Sequence, residues 1–225
     1  NGGSLYIRDL YASPGSGEVN GNLQIINFSN PEIKMVARTE LILKEFEKFL
    51  PPGTIHHTDG TIKLNISLNA RPGKSFSFDN LSAIKTSGQM IIRNGTFRIA
   101  GNRQVYKNID GHFLFDNNDL IAKELKISIN NTRMMMKGYF RNFIPKMLNK
   151  DIPLEIKADL YSDRIVLEDL FVPSTSSSTG GSSALMLPDD INANFNLHIG
   201  SFSYGRFRPS DISGKLEMHE KKIYA

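Results

Sequence analysis

Strict two-residue alternation, repeated in run after run, is the feature that most constrains this chain. From Ile62 to Ala70, Ile62, Leu64, Ile66, Leu68 and Ala70 fall on one side and Lys63, Asn65, Ser67 and Asn69 on the other. Successive side chains of an extended backbone point to opposite faces, so such a run is a strand with one dry face and one wet one. Leu154, Ile156, Ala158 and Leu160 alternate with Glu155, Lys157 and Asp159 in the same way, as Phe195, Leu197 and Ile199 do with Asn196 and His198. Related runs lie at 21–28, 88–93, 96–100, 111–116, 120–129, 132–140 and 213–218. A chain of such segments folds as sheet, and the sheet needs a partner for its apolar face.

Dipeptides that favour positive backbone angles punctuate the runs. Asp59-Gly60, Asn94-Gly95, Gly101-Asn102, Asp110-Gly111 and Asn117-Asn118 are read as tight turns. Strand, turn and strand with one apolar face each time describe an antiparallel meander. Helical spacing is rare and short. It occurs near 41–50, where Pro51-Pro52-Gly53 stops it, and near 163–172, where Pro173 does. A third candidate, 142–149, contains Pro145. These helices are expected to cap or cover the sheet. Ser174–Ser183 is a Ser/Thr/Gly tract, read as a flexible loop. It separates a β-rich region, 1–173, from further strands in 184–225 that are expected to continue the same sheet. The first region holds a degenerate repeat. Ile33-Lys34 and Ile156-Lys157 each lead, after a strand-length gap, into Ile42-Leu43 and Ile165-Val166 and then a proline-stopped helix.

The residues offer little for chemistry. The chain has 225 residues and no cysteine, which excludes disulfides, thiolate zinc sites and a cysteine nucleophile. His56 and His57 are adjacent, so in an extended segment they are expected to point apart, and no histidine pair has the i, i+4 spacing of a zinc enzyme. Asp116-Asn117-Asn118-Asp119 resembles the start of a calcium loop, but Leu120 and Ile127 stand where oxygen ligands would be needed. It is read as a polar hairpin turn. Gly15-Ser16-Gly17 lacks the spacing of a nucleophile elbow, and no phosphate-binding glycine motif occurs. The expectation is therefore no enzyme, no metal and no cofactor. Asn-x-Ser/Thr triplets at Asn27, Asn65, Asn94 and Asn130 are what an Asn-rich chain yields by chance.

The net charge is +4, with Lys and Arg spread along the polar faces of strands. Without a basic stripe, nucleic acid is not the expected partner. The surplus is compatible with a weak attraction to anionic membrane surfaces. No run of eighteen apolar residues exists for a membrane-spanning helix. The chain is read as a fragment, beginning at Asn1 and ending on a strand-like run.

The order of elements carries a resemblance. Gly111–Pro173 reads GHFLFDNNDLIAKELKISINNTRMMMKGYF, then RNF, then IPLEIKADLYSDRIVLEDLF. Upstream stands FLPPGTIHHTDGTIKLNISL. Downstream stands LPDDINANFNLHIGSFSYGRFRPSDISGKLEM, with Leu187, Pro188, Ile191, Tyr204, Gly205, Asp211, Ile212 and Gly214 at the patterned positions. This succession over residues 18–218 resembles the C-terminal region of the AsmA family of Gram-negative envelope proteins. The resemblance implies a mainly β fold: a long twisted antiparallel sheet curled into a trough, apolar inside, with two or three short covering helices. It also implies a periplasmic location, anchored to the inner membrane by a segment absent here, and a role in outer-membrane assembly and lipid movement.

A wide apolar sheet face with few helices to cover it is a binding surface. The candidate groove residues are Ile62, Leu64, Ile66, Leu68, Leu125, Ile127, Ile129, Met134, Met136, Leu154, Ile156, Ala158 and Leu160. Met134 and Met136 belong here because methionine adapts to flexible apolar partners. The expected ligand is a phospholipid or another acyl chain. Further expected partners are envelope proteins and the rest of a longer chain. The alternative function is an envelope assembly protein that binds others through its sheet edges, with an open edge near Lys215–Ala225.

Overall fold

The computed structural model describes residues 2–13, 15–47, 55–72, 84–99, 104–147, 152–170, 191–219 and 222–224. In chain order these form β1 Leu5–Ala12, β2 Glu18–Ile26, β3 Glu32–Ile42, α1 Leu43–Phe46, β4 Ile55–Ala70, β5 Ile84–Ile99, β6 Tyr106–Asp116 and β7 Asp119–Ile129. There follow β8 Thr132–Arg141, α2 Phe143–Met147, β9 Leu154–Val166, α3 Leu167–Leu170, β10 Ile191–Ser203, β11 Ser210–His219 and β12 Lys222–Tyr224. The twelve strands make one sheet whose spatial order is the chain order. The protein is mainly β, and its single long sheet is curled into a trough without closing into a barrel.

Neighbouring strands are antiparallel except at one seam. There β9 and β10 run parallel, with Leu154 opposite Ile191 and Leu160 opposite Leu197. Antiparallel neighbours can be joined by a two-residue turn, whereas a parallel pair needs a crossover of a dozen residues or more. Residues 171–190 lie between α3 and β10 and are long enough to make that crossing. The Ser/Thr/Gly tract 174–183 falls within them, outside the described residues.

Of the dipeptides read as turns, Gly101-Asn102 lies outside the described residues, and most of the others have another role. Asn117-Asn118 is a turn, with Asn117 at φ 55°, and it joins β6 to β7. Asp59-Gly60, Asn94-Gly95 and Asp110-Gly111 instead lie inside β4, β5 and β6. The pairing register shifts beside each of them. They are β-bulges. Turn and bulge can both place a residue at positive φ, and local sequence does not distinguish them. His57, Asn94 and Asn108 take φ of 54°, 51° and 51°, and Gly60 takes 100°. Bulges bend a strand and increase its twist, which allows 16-residue strands such as β4 and β5 to follow a curled sheet. The runs 88–93 and 96–100 are accordingly parts of one strand. The alternation also gave no sign of β1, whose apolar pattern is broken by a register shift between Ile7 and Leu10.

The helices are shorter than their sequence spacing implies. Leu41 and Ile42 pair with Ile62 and Thr61 and remain strand, so α1 starts at Leu43. Residues 163–166 pair with β10, through Arg164 to Ser201 and Val166 to Ser203, so α3 starts at Leu167. Sheet pairing outweighs helical propensity in both places. The predicted residues 48–50, 148–149 and 171–172 lie outside the described ones. Both strand-to-helix units of the sequence repeat are formed, as β3–α1 and β9–α3.

Burial is divided among three apolar clusters. One centres on Phe113, Phe115, Leu120 and Ala122, the second on Leu41, Leu43 and Ile62, and the third on Leu160, Ile165 and Ile199. Among the described residues no second sheet lies on the inner face, and the strands pack chiefly on their hydrogen-bonded neighbours.

Candidate functional site

Strand registers align the inner face into rows that cross the sheet. One row runs Leu10, Gly21, Ala37, Ile66, Gly88, Phe115, Leu120, Phe140, Ile156, Ala193 and Met218, each residue paired with the next. Beside it run Val19, Thr39, Leu64, Met90, Phe113, Ala122, Gly138, Ala158, Phe195 and Leu216. A third holds Leu41, Ile62, Ile92, Gly111, Leu125, Met136, Leu160, Leu197 and Gly214. None of the three rows contains a charged residue. Twelve strands spaced about 4.8 Å apart give this face a length of roughly 50 Å across the strands.

The candidate residues from sequence fall on this face in two groups. Ile62, Ile129, Ala158 and Leu160 are buried. Leu64, Ile66, Leu68, Leu125, Ile127, Met134, Met136, Leu154 and Ile156 are half-buried. Ile62 packs with Leu41 and Leu43, so it belongs to the structural core at the α1 end. Leu64, Ile66 and Leu125 flank the phenylalanine cluster, and Met134 and Met136 flank the cluster under α3. The sequence reading missed several inner residues, including Met35, Met90, Phe113, Phe115 and Phe140. Their rows become visible only when strands are set in register. The signal that could have found Phe113 and Phe115 is their alternation with His112, Leu114 and Asp116.

The bulge within β7 explains why one face holds Leu120 and Ala122 and then Leu125, Ile127 and Ile129. A register shift between Ala122 and Leu125 changes the parity, so odd positions face inward beyond it.

Helices sit at the strand ends, along the rims. α1 contributes Leu43 to one cluster, α2 sends Phe143 and Ile144 onto the phenylalanines, and α3 sends Leu170 to the third. Each is pinned by polar contacts. Thr58 Oγ1 donates to Glu47 Oε2 at 2.7 Å beside α1. Ile144 N–H donates to the Asn118 carbonyl at 3.0 Å, tying α2 to the β6–β7 turn. The Asp169 carbonyl accepts from Gln104 Nε2 at 2.6 Å, and its carboxylate accepts from Asn131 N–H at 2.9 Å. Val166 N–H donates to Thr132 Oγ1 at 3.0 Å, which accounts for a threonine buried completely. With four or five residues each, these helices reach only the ends of the face among the described residues.

The outer face is polar and laddered. Glu40 and Lys63 are direct cross-strand partners with an ion pair of 2.8 Å, and Lys126 meets Glu124 at 2.9 Å. A hydrogen bond from Lys126, with its charge, holds the Glu124 carboxyl below the ordinary value, and Lys34 does the same for Glu32. Such exposed pairs are screened by water and contribute little to stability, and their main effect is to mark the wet side. Tyr161 and His198 stack there at 4.8 Å. His56 and His57 depart from expectation. Positive φ at His57 breaks the alternation, and the two rings meet edge-on at 4.9 Å. Among the described residues no three His, Asp or Glu side chains converge as metal ligands would.

The sheet has two edges. β12 at one edge is three residues long, and β1 at the other has eight, seven of them exposed. Comparison with protein-family models, with curated proteins and with solved structures gave no match.

Proposed function

We propose that this chain is part of an AsmA-like cell-envelope scaffold that holds acyl chains, as phospholipid or a similar ligand, along its apolar trough. In this reading it works without catalysis, in the periplasm of a longer inner-membrane-anchored protein, and supports outer-membrane assembly. The observation that carries the reading is the three uncharged inner rows, continuous across the sheet and left without a covering layer among the described residues. Each CH₂ that leaves water on such a face gains about 0.8 kcal/mol. An acyl chain fills half of a hydrocarbon core about 30 Å thick, so it would lie across about three strands. Binding of this kind needs length and dryness more than a precise polar site.

Native mass spectrometry of the purified chain, followed by organic extraction, tests it. Lipid adducts are expected on the unmodified protein and are expected to be lost in Ile66→Asp and Ile156→Asp variants that keep their β circular dichroism. Adduct-free protein, or equal occupancy in the folded variants, would count against the reading.

The long exposed edge β1 favours a second reading, assembly with envelope proteins through strand addition. Capture of an outer-membrane protein that proline substitution at Ile7 abolishes, without any lipid adduct, would select it.

A further inference from the structure

We propose that the β10–β11 hairpin is a docking tip for an anionic lipid surface. The proposal rests on the acyl-chain reading of the trough and adds to it the place where the trough would meet a bilayer. The hairpin is closed by reciprocal backbone bonds of 2.9 Å between Tyr204 and Phe207, around Gly205-Arg206. Gly205 takes φ 55°, and a Cβ placed on it would meet no atom within 4 Å, so this point of the turn faces open space.

Its side chains are wrong for a merely solvated turn. Tyr204 is 57% exposed and Phe207 63%, and Arg206 and Arg208 are exposed beside them. The segment 202–210 contains no acidic residue. The next carboxylate along the chain is Asp211, and Glu168 Oε1 accepts the Gly205 N–H at 2.7 Å. Glu168 thereby anchors the foot of the tip, leaving the two guanidinium groups for a partner.

Aromatic rings with a polar end favour the boundary between headgroups and acyl chains. Arginines beside them match phosphate oxygens in charge and in geometry. The tip is also joined to the trough. Phe207 meets Phe202 edge-on at 6.3 Å, and Phe202 packs with Leu160 and Ile199 in the inner cluster. An apolar path therefore leads from the inner face to the exposed rings. A cross-strand ring contact alone would stabilise the hairpin, but it would not require the outer ring to stay in water or the arginines to flank it.

Vesicle co-sedimentation tests the proposal. Vesicles of phosphatidylglycerol with phosphatidylethanolamine are compared with vesicles of phosphatidylcholine. The expected result is binding to the first that exceeds binding to the second and weakens with salt. Arg206→Ser with Arg208→Ser should reduce it on the order of twentyfold, since one arginine near a charged surface is worth roughly fivefold. Tyr204→Ser with Phe207→Ser should reduce binding to both vesicle types. If the aromatic pair fails to fold, the arginine pair decides, because it leaves the ring contact intact. No preference for anionic vesicles, or unchanged binding in the folded arginine variant, would overturn the proposal. So would an oligonucleotide shift that depends on the tip while vesicles are ignored. The trough is read separately: Ile66→Asp should lose its lipid adduct and keep its vesicle binding.

Discussion

Two residues on one strand, Ile62 and Leu68, separate structural packing from surface lining. Ile62 is 1% exposed, between Leu41 and Leu43, whereas Leu68 is half-buried on the open face. Removing a buried aliphatic leaves a cavity and costs about 2–5 kcal/mol. Ile62→Ala is expected to cost about 3 kcal/mol in urea unfolding, and Leu68→Ala under about 1.5 kcal/mol. Equal losses would mean that the inner face is packed throughout. Glu168 supplies a second test. The N–H of Gly205, and then its own N–H, hold its carboxyl below the ordinary value. A carboxyl lowered by folding contributes its stabilisation above the unfolded value and loses it as pH falls through the folded one. The Gly205 amide resonance should therefore titrate below the ordinary glutamate value, as its hydrogen bond to the carboxylate is lost. A midpoint at or above that value would show the contact absent. The alternation made Ile62 and Leu68 equally visible in the sequence; their difference arises from α1, which reaches one end of β4 only.

At the scale of elements, bulges shape the strands. Asn94 is at φ 51°, and its N–H donates to Asp110 Oδ1 at 3.1 Å, so the bulge of β5 is tied to that of β6. Asparagine tolerates this backbone region, while a β-branched residue there is a steric outlier. Asn94→Val is expected to cost about 1–3 kcal/mol of unfolding free energy; Asn94→Gly should change it by only a few tenths. If valine were tolerated as well as glycine, strain at this bulge would not be what bends the strand. The Asn-x-Ser/Thr triplets at Asn27, Asn94 and Asn130 acquire a backbone reason here, since all three asparagines take positive φ. The strands from β2 onward were legible because alternation is local. The parallel seam was not, because it depends on which strand β10 meets after a long connection. The lengths of α1 and α3 were not either, because pairing with β4 and β10 extends the preceding strands.

At the scale of the molecule, a single curled layer has an inner face that its own sheet does not cover. The mainly β trough was expected from the sequence, and the alternation supplied its dry face. The candidate residues formed isolated strips in the sequence. Register joins them with Met90, Phe113, Phe140 and Phe195 into rows, which no single strand could reveal. The β10–β11 tip was noticed only as a patterned segment, because exposure of Tyr204 and Phe207 depends on how the hairpin leaves the rim. In the proposed function, a lipid chain buried on these rows would offset the cost of presenting them to water, at about 0.8 kcal/mol per CH₂. Site-specific photo-crosslinking in lipid-containing membranes tests this most directly. Benzophenone side chains are placed inward at Ile66, Ile127 and Ile156 and outward at Ser67, Lys126 and Lys157. The account predicts lipid adducts at the three inner positions and none at the three outer ones. Adducts equal on both faces, or absent from the inner face of a folded protein, would contradict it.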